Sequence, residues 1–274
     1  MASMIYKDAE KMNDLSANHV IVIHDKNREV LYEKNSRERM YPSGTTKVLT
    51  ALTALKMCRL NERITVGDEV LSETKGERLA GLIPGQTYVF MEVLAALLIG
   101  SGNDAARALA YHIAKRDLHK GLSYDAGVRY FAWSMNDVAV RSGAVASQFI
   151  NPHGLFNERH FSTAWDMVHI GHEAHASRVI RNLLKRTSWA SERLTLKSRN
   201  ELVLPDSPFY VPEAESLQSD SSIQQQSCLL STATSATETV VAAVYDATGH
   251  YVWIDAQKVL KQSLNNLKQQ EIVV

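Results

Sequence analysis

The chain reads as a mixed α/β protein of the α+β kind, an antiparallel sheet built from its two ends and covered by helices from its middle. Three observations carry that reading. Runs with strand character lie near the start, at 19–33, and again beyond Arg193. Apolar residues at helical spacing fill most of the stretch between them, and no internal repeat breaks the chain into smaller units.

The elements follow in order. His19-Val20-Ile21-Val22-Ile23-His24 is rich in β-branched residues, Asp25-Lys26-Asn27-Arg28 is a turn-forming tetrad, and Glu29-Val30-Leu31-Tyr32-Glu33 alternates, so the three predict a hairpin. After Pro42 and Gly44, Val48, Leu49, Leu52 and Leu55 recur at helical spacing beside Ala51 and Ala54, which predicts a buried helix from Thr45 to Leu60 with Lys47 in its first turn. The turn Gly81-Leu82-Ile83-Pro84-Gly85 precedes a segment from Phe90 to Gly100 that is apolar on nearly every face, as an interior helix is. A further helix is expected from Asp104 to Lys115, capped by Asn103 or Asp104, so that Ser101 and Asn103 occupy the tight loop between the two. Residues 123–142 read as helical, and after the turn Asn151-Pro152-His153-Gly154 a helix opened by Ser162 runs past Ile170. Leu194-Thr195-Leu196, Ser227 to Thr232 and Thr239 to Tyr245 read as strands, and Ile254 to Leu267 as a closing helix. Ser216 to Ser227 is rich in Ser and Gln and lies between the strand elements.

Bulk properties exclude several function classes. At 274 residues the chain is long enough for one large core, and residues 16–274 are expected to form a single domain after an N-terminal leader and extension at 1–15. Apolar residues at 45% and charged residues at 22% are ordinary for a globular protein. Thirty basic and thirty acidic residues cancel, so no long-range field draws the chain to nucleic acid or an anionic bilayer. No apolar stretch approaches the ~20 residues of a spanning helix. Cys58 and Cys228 stand far apart, with neither a disulfide framework nor metal-ligand spacing, and both read as buried apolar fillers. Met1-Ala2-Ser3-Met4 shows no basic stretch followed by an apolar one, hence no visible signal peptide.

Six short stretches, in order, resemble the low-molecular-weight penicillin-binding proteins that act as D-alanyl-D-alanine carboxypeptidases. They are Val30-Leu31-Tyr32-Glu33-Lys34-Asn35, Tyr41-Pro42 with Thr45-Thr46-Lys47, Leu82-Ile83-Pro84-Gly85, Ser101-Gly102-Asn103-Asp104-Ala105-Ala106, Asn151-Pro152-His153-Gly154-Leu155 and Ser162-Thr163-Ala164. Each is weak alone, whereas six in register over about residues 16–262 are hard to produce by chance. The resemblance implies the β-lactamase and transpeptidase fold, in which a five-stranded antiparallel sheet packs against helices with an inserted helical region and the active site lies at their junction.

That family's chemistry uses a serine three residues before a lysine at a helix start, a Ser-x-Asn loop, and Lys-Thr-Gly on a sheet edge. Spacing of i to i+3 puts hydroxyl and amine on one helix face, so the lysine can take the proton as serine attacks. The loop relays protons and holds the substrate amide, and the sheet-edge motif offers cation and hydroxyl to the terminal carboxylate of D-Ala-D-Ala. Here the position three before Lys47 is Gly44, which has no hydroxyl to form an acyl-enzyme. Ungapped alignment through Cys228-Leu229-Leu230-Ser231-Thr232-Ala233 sets Gln218-Ser219-Asp220 at the Lys-Thr-Gly position. A neutral amide replaces the lysine, and an opposite-charge contact near 4 Å is worth about 4 kcal/mol at an effective dielectric near 20. Asp220 turns part of that attraction into repulsion.

Lys47, Ser101 and Asn103 remain, and two readings of them stand side by side: a remnant that keeps the fold, with Lys47 on loop carbonyls and Asn103 capping its helix, or a binding cleft still in use. Ser43 precedes Lys47 by four residues on the same helix face, but a one-residue shift carries its hydroxyl away from any oxyanion donors. His153 reads as a hydrogen-bonder of its turn. His169, His172 and His175 share a helix without a paired carboxylate or cysteine set, so they read as surface histidines rather than metal ligands. Trp133, Trp165, Trp189 and Trp253 are scattered and read as packing anchors.

The expectation is a catalytically impaired homologue of a serine D-Ala-D-Ala carboxypeptidase, a binding or regulatory protein of the cell envelope that needs no cofactor or metal. Its expected partners are peptidoglycan stem peptides or an envelope protein. The alternative is an active or deliberately inactivated carboxypeptidase acting on those peptides. Export follows from the resemblance, as does a further β-rich domain and anchoring tail in many members, neither of which is visible after the closing helix.

Overall fold

The computed structural model describes residues 12, 14–71, 74, 76–118, 121–221, 226–235 and 237–272. Along the chain the elements are β1 (His19–His24), β2 (Val30–Lys34), α1 (Thr46–Met57), β3 (Arg63–Thr65), β4 (Thr87–Val89), α2 (Phe90–Leu98), α3 (Asn103–Leu118), α4 (Tyr124–Arg141), α5 (Ala164–Ala176), α6 (Arg178–Leu184), β5 (Ser188–Ala190), β6 (Thr195–Lys197), β7 (Ala214–Ser221), β8 (Gln226–Thr234), β9 (Thr239–Thr248) and α7 (Tyr251–Ile272). A one-turn 3₁₀ helix, Ser43–Thr45, leads into α1.

Among the described residues the large sheet has five strands in the order β2-β1-β9-β8-β7, every neighbour antiparallel. The two ends of the chain meet where β1 pairs with β9, Ile21 opposite Ala243. Because successive side chains of a strand point to opposite faces, β9 divides its apolar residues between two cores. Val240, Ala242 and Val244 join Val20, Val22 and Leu229 against Val252, Ala256, Val259, Leu260 and Leu264 of α7. Val241, Ala243 and Tyr245 join Ile21, Ile23 and Leu230 in the larger core under α1–α5. A sheet covered on both faces explains why β1 is buried at all six positions.

α5 lies directly on this sheet at Gly171, where a Cβ would come within 3.0 Å of Leu230, 3.1 Å of Val241 and 3.2 Å of Leu217. α1 is buried from Thr46 to Ala54. The threonines at its head and along it are satisfied inside: Thr45 Oγ1, just before the helix, shares a 2.8 Å hydrogen bond with the Tyr245 hydroxyl, Thr46 meets His160 Nε2 at 3.0 Å, and Thr50 donates to the Pro152 carbonyl at 2.6 Å. Burial pushes the Tyr245 phenol well above its ordinary pKa, so it stays neutral there.

Several boundaries differ from expectation. α5 begins at Ala164 and is capped by Thr163, whose Oγ1 accepts from Asp166 N at 3.0 Å. Ser162 instead shares a hydrogen bond with Ser147. Asp104 does not simply cap α3, since its carboxylate accepts from the backbone N–H groups of Ala80, Gly81 and Leu82 and pins that loop over the helix start. The start of the Ser/Gln-rich stretch belongs to the edge strand β7, and its centre, 222–225, lies outside the described residues. Trp133 is 70% exposed and anchors nothing. Cys228 is buried, whereas Cys58 is half-buried beside Arg116, its thiol pushed up to about 11 by burial and by Glu62.

Two local features generate stability tests. Arg107 of α3 is fully buried, donates to the Glu69 carbonyl at 2.7 Å and pairs with the equally buried Glu77 carboxylate. Removing one member of such a pair leaves the other charge uncompensated, so Arg107→Met is expected to cost about 3–5 kcal/mol in urea unfolding, and more than the Arg107→Met/Glu77→Gln double variant. Gly154 has φ +81°, and a Cβ there would sit 1.9 Å from the Ser43 carbonyl oxygen. Gly154→Ala is therefore expected to lose about 3 kcal/mol, measured the same way, because it combines a disfavoured backbone region with an overlap onto backbone that cannot move aside.

Candidate active site

The site forms where the head of α1, the loop between α2 and α3, and the edge strand β7 converge. Pro42 precedes the 3₁₀ turn, and Ser43 opens that turn in a left-handed conformation, φ +47°. Such backbone is uncommon for a non-glycine residue and persists only where its surroundings hold it. Here the holding group is the turn 151–154: Tyr41 donates its hydroxyl to the Gly154 carbonyl at 2.8 Å, and Gly154 sits against the Ser43 carbonyl. Ser43, Gly44 and Lys47 are all buried, and the turn that carries Gly44 packs against β7. Lys47 is only 2% exposed.

Ser101 closes the α2–α3 loop with a second left-handed residue, φ +53°, and its hydroxyl lies 2.6 Å from the Gln218 carboxamide on β7. The network assigns the amide oxygen to that contact: Ser101 then donates to Gln218 Oε1, while Nε2 donates to the carbonyls of Leu98 at 3.2 Å and Leu217 at 3.3 Å. The Asn103 backbone N–H donates to the Arg78 carbonyl at 2.8 Å. Its side chain is buried, and Oδ1 has no hydrogen-bond partner among the described residues. A buried acceptor left open in this way is costly unless a ligand or water supplies a donor.

β7 runs antiparallel to β8, with Gln218 opposite Leu230, Ser219 opposite Leu229 and Asp220 opposite Cys228. The ladder register shifts between Ser216 and Gln218, a bulge that re-aims the strand just before the Gln218 position. His153 accepts from the Leu155 N–H at 3.1 Å through Nδ1, as expected of a turn residue. Burial, with the nearby Lys47 and Arg107 charges, pushes its pKa down to about 3, so it is neutral.

The structure thus joins Ser101 to Gln218 directly and brings the Gly44 turn alongside β7. Beside them it adds residues that sequence reasoning missed. Arg78, Arg199 and Asn200 line a void of about 10 Å³ together with Ser101, Ser198 and Gln218. The one available signal was the polar Ser198-Arg199-Asn200 step between two strand-like segments. The histidines of α5 also differ from expectation. His175 is buried, and both it and His172 bond Asp25, so carboxylate partners exist, contributed from a distant part of the chain. Among the described residues no group of three or more His, Cys, Asp or Glu side chains is arranged to hold a metal ion.

Comparison with known proteins agrees with this architecture. Residues 6–249 match the family model for D-alanyl-D-alanine carboxypeptidases. The chain is 30% identical over 167 residues to the carboxypeptidase DacF of Bacillus subtilis, covering 59% of this chain and 40% of that protein. It is 31% identical over 153 residues to DacC of Escherichia coli, covering 52% and 35% respectively. The chain therefore spans well under two thirds of these curated relatives. The crystal structure of the Streptomyces K15 DD-transpeptidase superposes with a TM-score of 0.82 at 24% identity, covering 92% of this chain and 98% of that one. Penicillin-binding protein 6B of Escherichia coli superposes with a TM-score of 0.79 at 20% identity, over 90% and 77%. With the family model matched along most of its length and the fold shared, this chain belongs to the D-alanyl-D-alanine carboxypeptidase family.

Proposed function

We propose that this protein binds peptides ending in D-Ala-D-Ala without hydrolysing them, as a regulatory or capture protein of the cell envelope. The observation that carries the reading is the glycine at position 44, three residues before the buried Lys47 at the head of α1. Acyl transfer in this family's manner requires an oxygen there, and a glycine supplies none to attack a carbonyl. Ser43 lies one residue out of step with that position, and its backbone is left-handed with Gly154 against its carbonyl.

Binding capacity has independent support. Asn103 Oδ1 is an open, buried acceptor suited to a peptide N–H. The Gln218 amide occupies the family's lysine position, and its bond to Ser101 ties up the hydroxyl that would otherwise relay protons. The positive charge absent from residue 218 is available nearby from Arg78 and Arg199, either of which can meet a terminal carboxylate. The partner in this reading is a peptidoglycan stem peptide, or an envelope protein that presents a similar terminus, and the location is extracytoplasmic. Among the described residues no helix is long and apolar enough to cross a membrane. The competing reading, an active or deliberately inactivated carboxypeptidase on the same peptides, draws on the family membership itself.

Incubation with benzylpenicillin followed by intact-mass measurement is expected to give no covalent adduct. An adduct on Ser43 or Ser101 would overturn the proposal. Gly44→Ser is likewise expected to remain unlabelled, because Gln218 and Asp220 still stand at the sheet edge; strong labelling would instead mark a chain that lost one residue from a working enzyme. Asn103→Ala is expected to weaken binding of a diacetyl-lysyl-D-alanyl-D-alanine peptide about tenfold in calorimetry, the equivalent of about 1.4 kcal/mol for one buried hydrogen bond.

A further inference from the structure

One buried imidazole stands between two carboxylates that belong to different elements. His175 Nδ1 of α5 lies 3.2 Å from Asp25 Oδ2, in the turn after β1, and His175 Nε2 lies 3.4 Å from Glu215 Oε2, near the start of β7. The second contact is an ion pair without an aligned hydrogen bond. A neutral imidazole has a single N–H and can serve only one of the two acids, whereas an imidazolium serves both.

The surrounding charges favour the doubly protonated ring. On α5 itself His172 Nδ1 is 2.7 Å from Asp25 Oδ1, and Glu173 is occupied by Arg28 at 3.0 Å. From the direction of α6, Arg181 donates to the His175 carbonyl at 3.1 Å, and Lys185 Nζ lies 3.0 Å from Glu215 Oε1. At the adjoining end of β9, Glu238 is paired with His24. Burial works against charge on His175, but Asp25 and Glu215 outweigh it and raise its pKa to about 9. Burial likewise opposes ionisation of Asp25 and Glu215, yet their histidine partners, with Lys185 at Glu215, hold both below the ordinary carboxylate range.

Glu215 lies three residues before Gln218, with the β7 bulge between them. Ala214, Glu215 and Ser216 pair with Ala233, Thr232 and Ser231 of β8, and the bulge separates this part of the ladder from Gln218, so the Glu215 side-chain contacts add a tie of their own to the strand start. We infer that the His175 imidazolium is a latch that fastens the start of β7 to α5 and to the β1–β2 turn, so that the sheet edge carrying Gln218 is positioned only while both ring nitrogens are protonated. The consequence for ligand binding rests on the functional reading above; the latch itself does not. The sign follows from the raised value: the stabilisation is fully present below the ordinary histidine range and is lost as pH rises through about 9.

Hydrogen exchange of segment 214–221, corrected for intrinsic rates, tests this between about pH 7.5 and pH 9.5. Wild-type protection is expected to fall roughly tenfold across that interval, with ¹⁵N resonances of the His175 ring showing both nitrogens protonated at the lower pH. His175→Gln is expected to lack the step and to show low protection throughout, while Lys185→Met keeps it. Glu215→Gln, which preserves the strand's shape, is expected to abolish the step even if His175→Gln folds poorly. A neutral His175 ring at about pH 7.5, or an unchanged step in either the His175 or the Glu215 variant, would refute the latch. Affinity for the diacetyl-lysyl-D-alanyl-D-alanine peptide, measured at both pH values, separates the two ideas. Weaker binding at high pH supports the coupling, and no binding at either pH refutes the functional reading while exchange still decides the latch.

Discussion

The burial of α1 is the constraint on which the rest of the site depends. A helix enclosed from Thr46 to Ala54 cannot roll or slide without opening voids in a close-packed interior. Its head is therefore fixed relative to the sheet, and so are Gly44 and Lys47. Threonines at its head and along it make the constraint directional, since the buried hydroxyls of Thr45, Thr46 and Thr50 find partners outside the helix on Tyr245, His160 and Pro152. A purely aliphatic helix would fill the same space with less definite orientation.

Against this fixed head the other two parts of the site are held by polar contacts. Asp104 pulls the loop at Ala80–Leu82 over the start of α3, which leaves Ser101 in its left-handed turn under β7. β7 meets that turn through one amide–hydroxyl bond at Gln218 and is tied at its start through Glu215. A rigid side and a tunable side thus face each other. In a catalyst such an arrangement serves transition-state electrostatics, which demand donors fixed before reaction. Under the proposed binding role the same rigidity would serve recognition, because a preorganised site loses less entropy when it takes up a peptide.

Much of the fold was readable from pattern. The continuous apolar runs of β1 and β9 and the helical spacing in α1 record burial directly, the former because both faces of the sheet are covered and the latter because one face of the helix meets the core. The missed elements are those whose residues do not carry that record. β7 is an edge strand of mainly polar residues, so it lacks the apolar run that marks the inner strands. Thr163 and Ser162 are chemically equivalent caps on paper, and only the bridge that engages Ser162 with Met40 and the Ser147 contact decide between them. His175 was read as exposed because Asp25 and Glu215 are distant in sequence. At the site, position 44 and its neighbours could be read by spacing from Lys47, whereas Arg78, Arg199 and Asn200 are collected from separate loops that no spacing rule connects.

The sequence by itself determined the α+β architecture, the helix that carries Lys47 and the absence of a hydroxyl at residue 44, because these depend on residue identity and local periodicity. Tertiary structure alone decided that Gln218 rests on Ser101, that Asn103 keeps an open acceptor, and that one imidazole bridges two acids from opposite ends of the chain. Those outcomes depend on which surfaces meet when the sheet closes between β1 and β9, and short-range contacts between residues far apart along the backbone come into existence only then.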